Sequence, residues 1–368
     1  MTGFIDVHAH FLTGSYVAQA RAAGHDVPDG MPKWPDWSVA GHLELMGRAG
    51  IDAAVLSVSS PGVHFGDDQA ARTLAREVND AGAQIVRDHP GQFGLFAALP
   101  LPDTDGALAE IGYAFDTLGA AGVIVETNAH GVYLGDQRLE PVFAELARRR
   151  ATVMLHPTSP PCWQQTALGR PRPMIEFIFD TARAVTDLIL AGTLIRHPAM
   201  SVIVPHGGGA LPLLADRIKA FMFASPPHGA PEPDPVAQLH RLYYDLAGTP
   251  FPRQVPALLN LVSPSQLLYG SDFCFTPALG IQMQIAAINA APVPVEGATW
   301  QSLTTGNALR LLPRLTPRST ALSGLVLRRS MERVQSMHRN PYRQVSVLLA
   351  VRHGRHSPVP PGQSVRKL

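Results

Sequence analysis

The sequence predicts an α/β fold, a closed (β/α)8 TIM-like barrel. Three observations carry the expectation: short runs rich in Val, Ile and Leu alternate with helical patterns, there are eight such runs, and several end in a His or an Asp. This alternation marks strand–helix units on a parallel sheet. A chain of 368 residues that is 46% apolar can build the core of one barrel or of two ordinary domains, so the pattern decides and not the length.

Phe4–Val7 opens the series and runs into His8-Ala9-His10. A Gly/Pro/Trp-containing insertion, residues 11–37, follows, and then a helix over Ser38–Arg48 that Ser38 can cap. The second strand is Ala53–Ser59; its helix, Asp67–Asp88, is stopped by Pro90-Gly91 before the third strand, Phe93–Leu99. Thr104–Leu118 reads as helix, Gly122–Glu126 as the fourth strand, Leu139–Arg148 as helix and Thr152–His156 as the fifth strand. The helix Met174–Leu190 precedes the sixth strand, Ser201–Val204. After the helix Leu211–Met222 comes a Pro-rich loop, Ser225–Pro235, and the seventh strand, Leu242–Leu246. The helix Pro252–Leu261, the eighth strand Gln266–Gly270 and a last helix, Ala298–Leu312, complete the pattern.

The organisation is therefore a barrel over 1–318 and a basic tail over 319–368. That tail holds nine Lys or Arg against one acid, Glu332, so a net charge of +1 for the whole chain leaves the body at −7. An acidic body gives no reason to expect nucleic-acid binding. The tail reads as a disordered basic segment or as the product of a shifted reading frame; both readings stay open. No run is long and apolar enough to span a bilayer and the N-terminus lacks a signal-peptide pattern, so no membrane partner and a cytoplasmic location are expected. With two cysteines, Cys162 and Cys274, neither a disulfide framework nor a Cys-rich metal site can form, and any metal must use His and carboxylate ligands.

Side chains two apart on a strand share a face, so His8 and His10 can reach one metal from inside the barrel mouth. His156, His206 and Asp272 stand at or just past the ends of the fifth, sixth and eighth strands. In a (β/α)8 barrel these ends converge on one site. Polar groups at four strand ends are hard to attribute to core packing, and a buried carboxylate such as Asp272 needs a partner.

The set IDVHAH, LHPTSPP, PHGGGALPLLADRI, YGSDF and TTGNALRLL, spread over about residues 3–313, resembles the amidohydrolase-related family of aminocarboxymuconate-semialdehyde decarboxylase. The runs SVSSPGVHFGDDQAARTLAREVND and TDLILAGTLIRHP, with LHPTSPP, look most like its branch of 6-methylsalicylate and related hydroxybenzoate decarboxylases. The resemblance implies metal ligands His8, His10, His156 and Asp272, and a catalytic His206 held beside the metal. It also implies one divalent ion, Zn2+ first and Mn2+ as the alternative, with no organic cofactor. The reaction implied is non-oxidative decarboxylation of a small aromatic carboxylate by ring-carbon protonation, from His206 or Asp272, followed by CO2 loss. Hydrolysis of a lactone or amide is the alternative. Arg217 matches an arginine that holds a substrate carboxylate across a dimer interface, so a homodimer is expected.

Two departures stand out. Binuclear relatives carry a bridging lysine after strand four, where this chain reads Glu126-Thr127-Asn128. One metal is therefore expected, with Glu126 a salt-bridged or hydrogen-bonded residue of the rim; the alternative is that Glu126 bridges two ions. The family's arginine after strand one has no counterpart in Gly30-Met31-Pro32-Lys33-Trp34. Among softer candidates, His64 follows strand two at the pocket end; Trp34, Trp163 and Phe273 are possible aromatic walls; Arg170 and Arg172 are positioned to approach an acidic substrate. His42, His89, His197 and His240 fall in or beside helices and are assigned no function.

Overall fold

The computed structural model describes residues 3–224 and 234–315, which form an eight-stranded parallel barrel. The tail 319–368 and most of the loop Ser225–Pro235 lie outside the described residues. The strands are β1 (Phe4–His10), β2 (Ile51–Ser57), β3 (Phe93–Ala98), β4 (Gly122–Glu126), β5 (Thr152–His156), β6 (Ser201–Val204), β7 (Tyr243–Asp245) and β8 (Leu267–Leu268). Each pairs in parallel with the next along the chain. The circle closes through bridges Asp6–Tyr269 and Ala9–Phe273, with Val7 N donating to Tyr269 O at 2.9 Å.

β1, β3 and β5 are buried at every residue, because one face packs inside the barrel and the other under the helices. Strands covered on both faces read as unbroken apolar runs, which is why they were legible without alternation. Outside them, Ser38 caps Val39–Ala49 by accepting from Gly41 N, and Gly50 ends that helix in the left-handed conformation. Asp67 caps Asp68–Asp88 in the same way. That helix is tied to its neighbour, Thr104–Tyr113, by Arg72 on Asp103 and Arg76 on Glu110.

Several elements differ from expectation. Thr104–Leu118 is an α-helix only to Tyr113 and then widens into a π turn, Ala114–Leu118. The expected helix Pro252–Leu261 is a π turn, Pro250–Gln254, followed by one α turn, Val255–Leu258, since Pro252 and Pro256 lack the N–H a regular ladder needs. The insertion 11–37 contains a helix, Gly14–Ala22, and another unanticipated helix runs over Ala278–Ala290. After β4 a small hairpin pairs Asn128–Ala129 with Val132–Tyr133. Among the described residues no helix is long and apolar enough to cross a membrane.

Candidate active site and metal centre

β1 carries His8 and His10 inward, and both rings are fully buried. His8 Nδ1 lies 2.8 Å from Asp245 Oδ2, so the imidazole donates there and its Nε2 keeps a lone pair. His10 Nδ1 lies 3.0 Å from Ser57 Oγ, whose hydroxyl donates to Ala9 O at 3.1 Å. The serine oxygen therefore accepts from His10 Nδ1, and His10 Nε2 is also left with a lone pair. The two Nε2 atoms face each other at 3.1 Å. Two lone pairs at that separation repel unless a cation lies between them, either a metal ion or the proton that a charged His8 carries on Nε2. His156, from β5, and Asp272, past β8, complete the group, and one ligand atom from each of the four residues lies within 4.8 Å of all the others. Asp272 Oδ1 is 3.2 Å from His10 Nε2 and 3.6 Å from His8 Nε2. Three imidazoles and one carboxylate fit a single divalent ion.

The backbone is bent to bring these groups together. His206 and Asp272 adopt φ of 53° and 57°, a left-handed conformation uncommon outside glycine. Each is pinned: His206 N donates to Asp245 Oδ1 at 2.9 Å, and Asp272 N to His8 O at 2.8 Å. Gly209, at φ 59°, passes so close to Ile178 O that a Cβ would sit 2.4 Å from it. Strain held by surrounding bonds at functional side chains is a mark of a site.

The electrostatics favour a positive charge. Burial disfavours a charged His8, yet Asp245, Asp272 and Asp6 outweigh it and push the imidazole up to about 9. Burial would raise Asp272, but contact with the His10 and His206 imidazoles, together with the charge of His8, holds it well below the usual carboxylate range. Burial keeps His10 below its ordinary value and His156 well below, so both are neutral bases. Burial also pushes Asp6 up to about 7.

His206 is outside the four-residue cluster but beside it, its Nε2 3.4 Å from Asp272 Oδ2 and its Nδ1 buried without a partner. His64 is at the barrel mouth, hydrogen-bonded to His130 and Asp68 at 2.9 Å each, and lines a cavity of about 40 Å3 with Glu126. Glu126 meets the expectation of a paired rim residue in part, at ion-pair distance from His156. Its Oε2 is buried with no hydrogen-bond partner, 3.4 Å from His156 Nδ1, and burial followed by repulsion from Asp29 drives its pKa well above the usual range. Trp163 lies under the Arg172 guanidinium, and Trp34 is buried edge-on against Tyr16. Arg217 is exposed on the outer face of the helix Leu211–Ala224, over the Phe221 ring, and is not among the groups the barrel mouth assembles.

Asp245 and Ser57, which orient His8 and His10, were missed. Asp245 had a signal, a lone carboxylate in the otherwise apolar run Leu242–Leu246; Ser57 had none.

The fold and this His/His/His/Asp metal site define a (β/α)8 enzyme of the amidohydrolase type. The model of the family described as Amidohydrolase matches residues 5–314. The 6-methylsalicylic acid decarboxylase acuB of Aspergillus aculeatus is 37% identical over 326 residues, 84% of this chain and 96% of that protein. The 2-amino-3-carboxymuconate-6-semialdehyde decarboxylase of Dictyostelium discoideum is 30% identical over 200 residues, 52% of this chain and 53% of that one. A crystal structure of an amidohydrolase II superposes with a TM-score of 0.79 at 34% identity, covering 84% of this chain and all (100%) of that one. The chain belongs to the amidohydrolase family, and within it is a carboxy-lyase related to the 6-methylsalicylate decarboxylases.

Proposed function

We propose that the protein is a non-oxidative decarboxylase of an ortho-hydroxybenzoate, 6-methylsalicylate or a close analogue, using one divalent metal and no organic cofactor. The observation that carries the reading is His206 beside Asp272 at the edge of the metal donors, in a chain related along most of its length to a 6-methylsalicylate decarboxylase.

Loss of CO2 directly from an arene leaves a high-energy aryl anion, so the carboxyl-bearing ring carbon has to be protonated first. His8, His10, His156 and Asp272 would hold a divalent cation, Zn2+ or alternatively Mn2+, which would supply Lewis-acid charge for an anionic substrate. With Asp272 held ionised, His206 is the proton carrier and Asp272 orients its Nε2. The proton goes to the ring carbon, and the C–C bonding pair then returns to the ring as CO2 leaves. His64 and Trp163 contribute to the pocket wall. A panel of hydroxybenzoates assayed for phenol and CO2 tests the reading; hydrolysis of lactones or amides with no decarboxylation would refute it.

The proposal extends to assembly. Arg217 lines an outer groove of about 520 Å3 with Phe179, Leu190 and Phe221, all three exposed apolar residues. Such a patch suits a second copy, whose substrate carboxylate Arg217 would meet. H206N and R217A, each inactive alone, should complement when subunits exchange, restoring roughly a quarter of wild-type activity. Confirmed exchange without recovery refutes the shared site.

A further inference from the structure

The loops over the mouth of the barrel hold an arginine that the mechanism above does not use. Arg172 begins a short 3-10 turn, Arg172–Met174. Its guanidinium stacks 4.1 Å from the Trp163 ring centroid, and its Nε donates to Ser159 Oγ at 2.9 Å. The Ser159 hydroxyl donates in turn to Asp29 Oδ1 at 2.5 Å. Asp29 belongs to the loop after β1, and Ser159 follows the metal donor His156 by three residues. One chain of hydrogen bonds therefore ties two rim loops together and fixes the arginine between them. Three residues of backbone reach at most about 11 Å, which keeps this arrangement at the mouth above His156.

Only 15% of the Arg172 side chain is exposed. A guanidinium offers five N–H donors, yet among the described residues neither Nη makes a hydrogen bond, and Asp29 Oδ1 stays 4.0 Å from Nη2. A purely structural arginine, covered to this degree, would be expected to spend its terminal nitrogens on the protein. The space for them is also specific. Gly30, at φ 75°, has no side chain, and a Cβ there would lie 2.6 Å from Nη1. Stacked, anchored at Nε and with neither Nη hydrogen-bonded, the fork suits a planar carboxylate. Asp29 and Asp272 put negative charge at this end of the barrel, and a fixed cation there offsets their repulsion of an incoming anion.

We infer that Arg172 is a specificity-determining residue that takes the carboxylate of the substrate through its two Nη groups, with Trp163 and Ser159 holding it in place. The inference rests on the aromatic-carboxylate reading above, and Arg172 would share that one carboxylate with Arg217 of a second copy.

The test compares metal-loaded wild type with R172Q, R172K and G30A. Decarboxylation of 6-methylsalicylate is followed at steady state, and binding of that acid and of its neutral product, 3-methylphenol, is measured by calorimetry. R172Q should raise KM for the acid about 10- to 100-fold, the loss expected for a charge-assisted pair. Its kcat should not fall, because the pair is made with a carboxylate whose charge is lost as CO2 leaves, and phenol binding should not change. R172K, which keeps the charge and loses the fork, should fall between, and G30A should resemble R172Q by displacing the guanidinium. An unchanged KM, or equal losses for acid and phenol, would overturn the inference and make Arg172 a loop brace. If R172Q does not fold, R172K and G30A must still show the selective loss for the acid, and its absence overturns the inference equally. If wild type binds the acid without decarboxylating it, the reaction reading fails while the binding comparison still judges Arg172. Wild type that binds no aromatic carboxylate refutes both.

Discussion

D245N tests whether the metal centre depends on the proton position of one imidazole. Asp245 is fully buried and accepts three hydrogen bonds: from His8 Nδ1 at 2.8 Å, His206 N at 2.9 Å and Ala247 N at 2.9 Å. Two of these are backbone N–H groups on Oδ1, so an asparagine keeps its only oxygen there and turns its NH2 towards His8 Nδ1–H. Two donors then face each other. His8 relieves the conflict by moving its proton to Nε2, the nitrogen that points at His10 Nε2 and at the metal position. Partners of this kind are worth about 10- to 100-fold in metal affinity, or about 1.4–2.7 kcal/mol. A buried, charged acceptor belongs at the upper end. S57A removes only a neutral acceptor from His10 and should cost under about tenfold. Competition with a fluorescent chelator for Zn2+ and for Mn2+ measures both variants, with circular dichroism to show that they fold. Wild-type affinity in D245N, or a larger loss in S57A, would refute the tautomer argument.

Further outcomes are expected. Elemental analysis should find one divalent ion per chain in the wild type and a large loss in H8A and D272A; full retention in both would remove the basis of the site. His42 accepts from Trp37 Nε1 at 3.2 Å, and burial pushes it from 6.5 down to about 3. The unfolded chain thus takes up a proton near pH 6.5 that the folded one refuses. Stability from this group is full above that pH and is lost as pH falls towards 3, by up to roughly 1.4 kcal/mol per pH unit. H42L should flatten the fall in denaturation midpoint over that window, and an unaltered slope would contradict the assignment. A chain ending at Arg318 keeps the family match, which ends at 314, and the buried Leu315, so it should fold and turn over. Aggregation of that chain would show that residues 319–368 are needed.

The strands were legible because double-sided burial writes an apolar run, and the metal donors were legible because His156 and Asp272 interrupt such runs at their ends. Asp245 follows the same logic and was passed over because the apolar run continues to Leu246, which hides that the strand itself ends at Asp245. Ser57 could not be read, since a serine closing an apolar run is ordinary. The helix Ala278–Ala290, ALGIQMQIAAINA, is apolar on nearly all sides and shows no helical stripe. Gly14–Ala22 buries only Tyr16 and Ala20, too little to set a periodicity. The hairpin after β4 depends on a left-handed His130-Gly131 turn and on Asp180, which accepts from Asn128 and Tyr133 across some fifty residues of chain, a partnership that sequence periodicity does not encode. The surroundings of Glu126 were hidden for a related reason: its contact with His156 and its repulsion by Asp29 depend on residues far apart in the chain.

The bridges that join β8 to β1 bring the two ends of the barrel chain together, and the metal donors straddle that seam: His8 and His10 lie on one side of it, Asp272 on the other. During synthesis the first two donors leave the ribosome long before the last. At about 5–20 residues per second, the stretch between them takes roughly 15–50 s to make. For that interval His8 and His10 have neither Asp272 nor Asp245 to orient them, and the growing chain has no tetradentate claim on the cell's metal pool. Acquisition of an ion at these four residues would thereby be a late event in the life of each molecule, and an occupied centre would certify that the ring has shut.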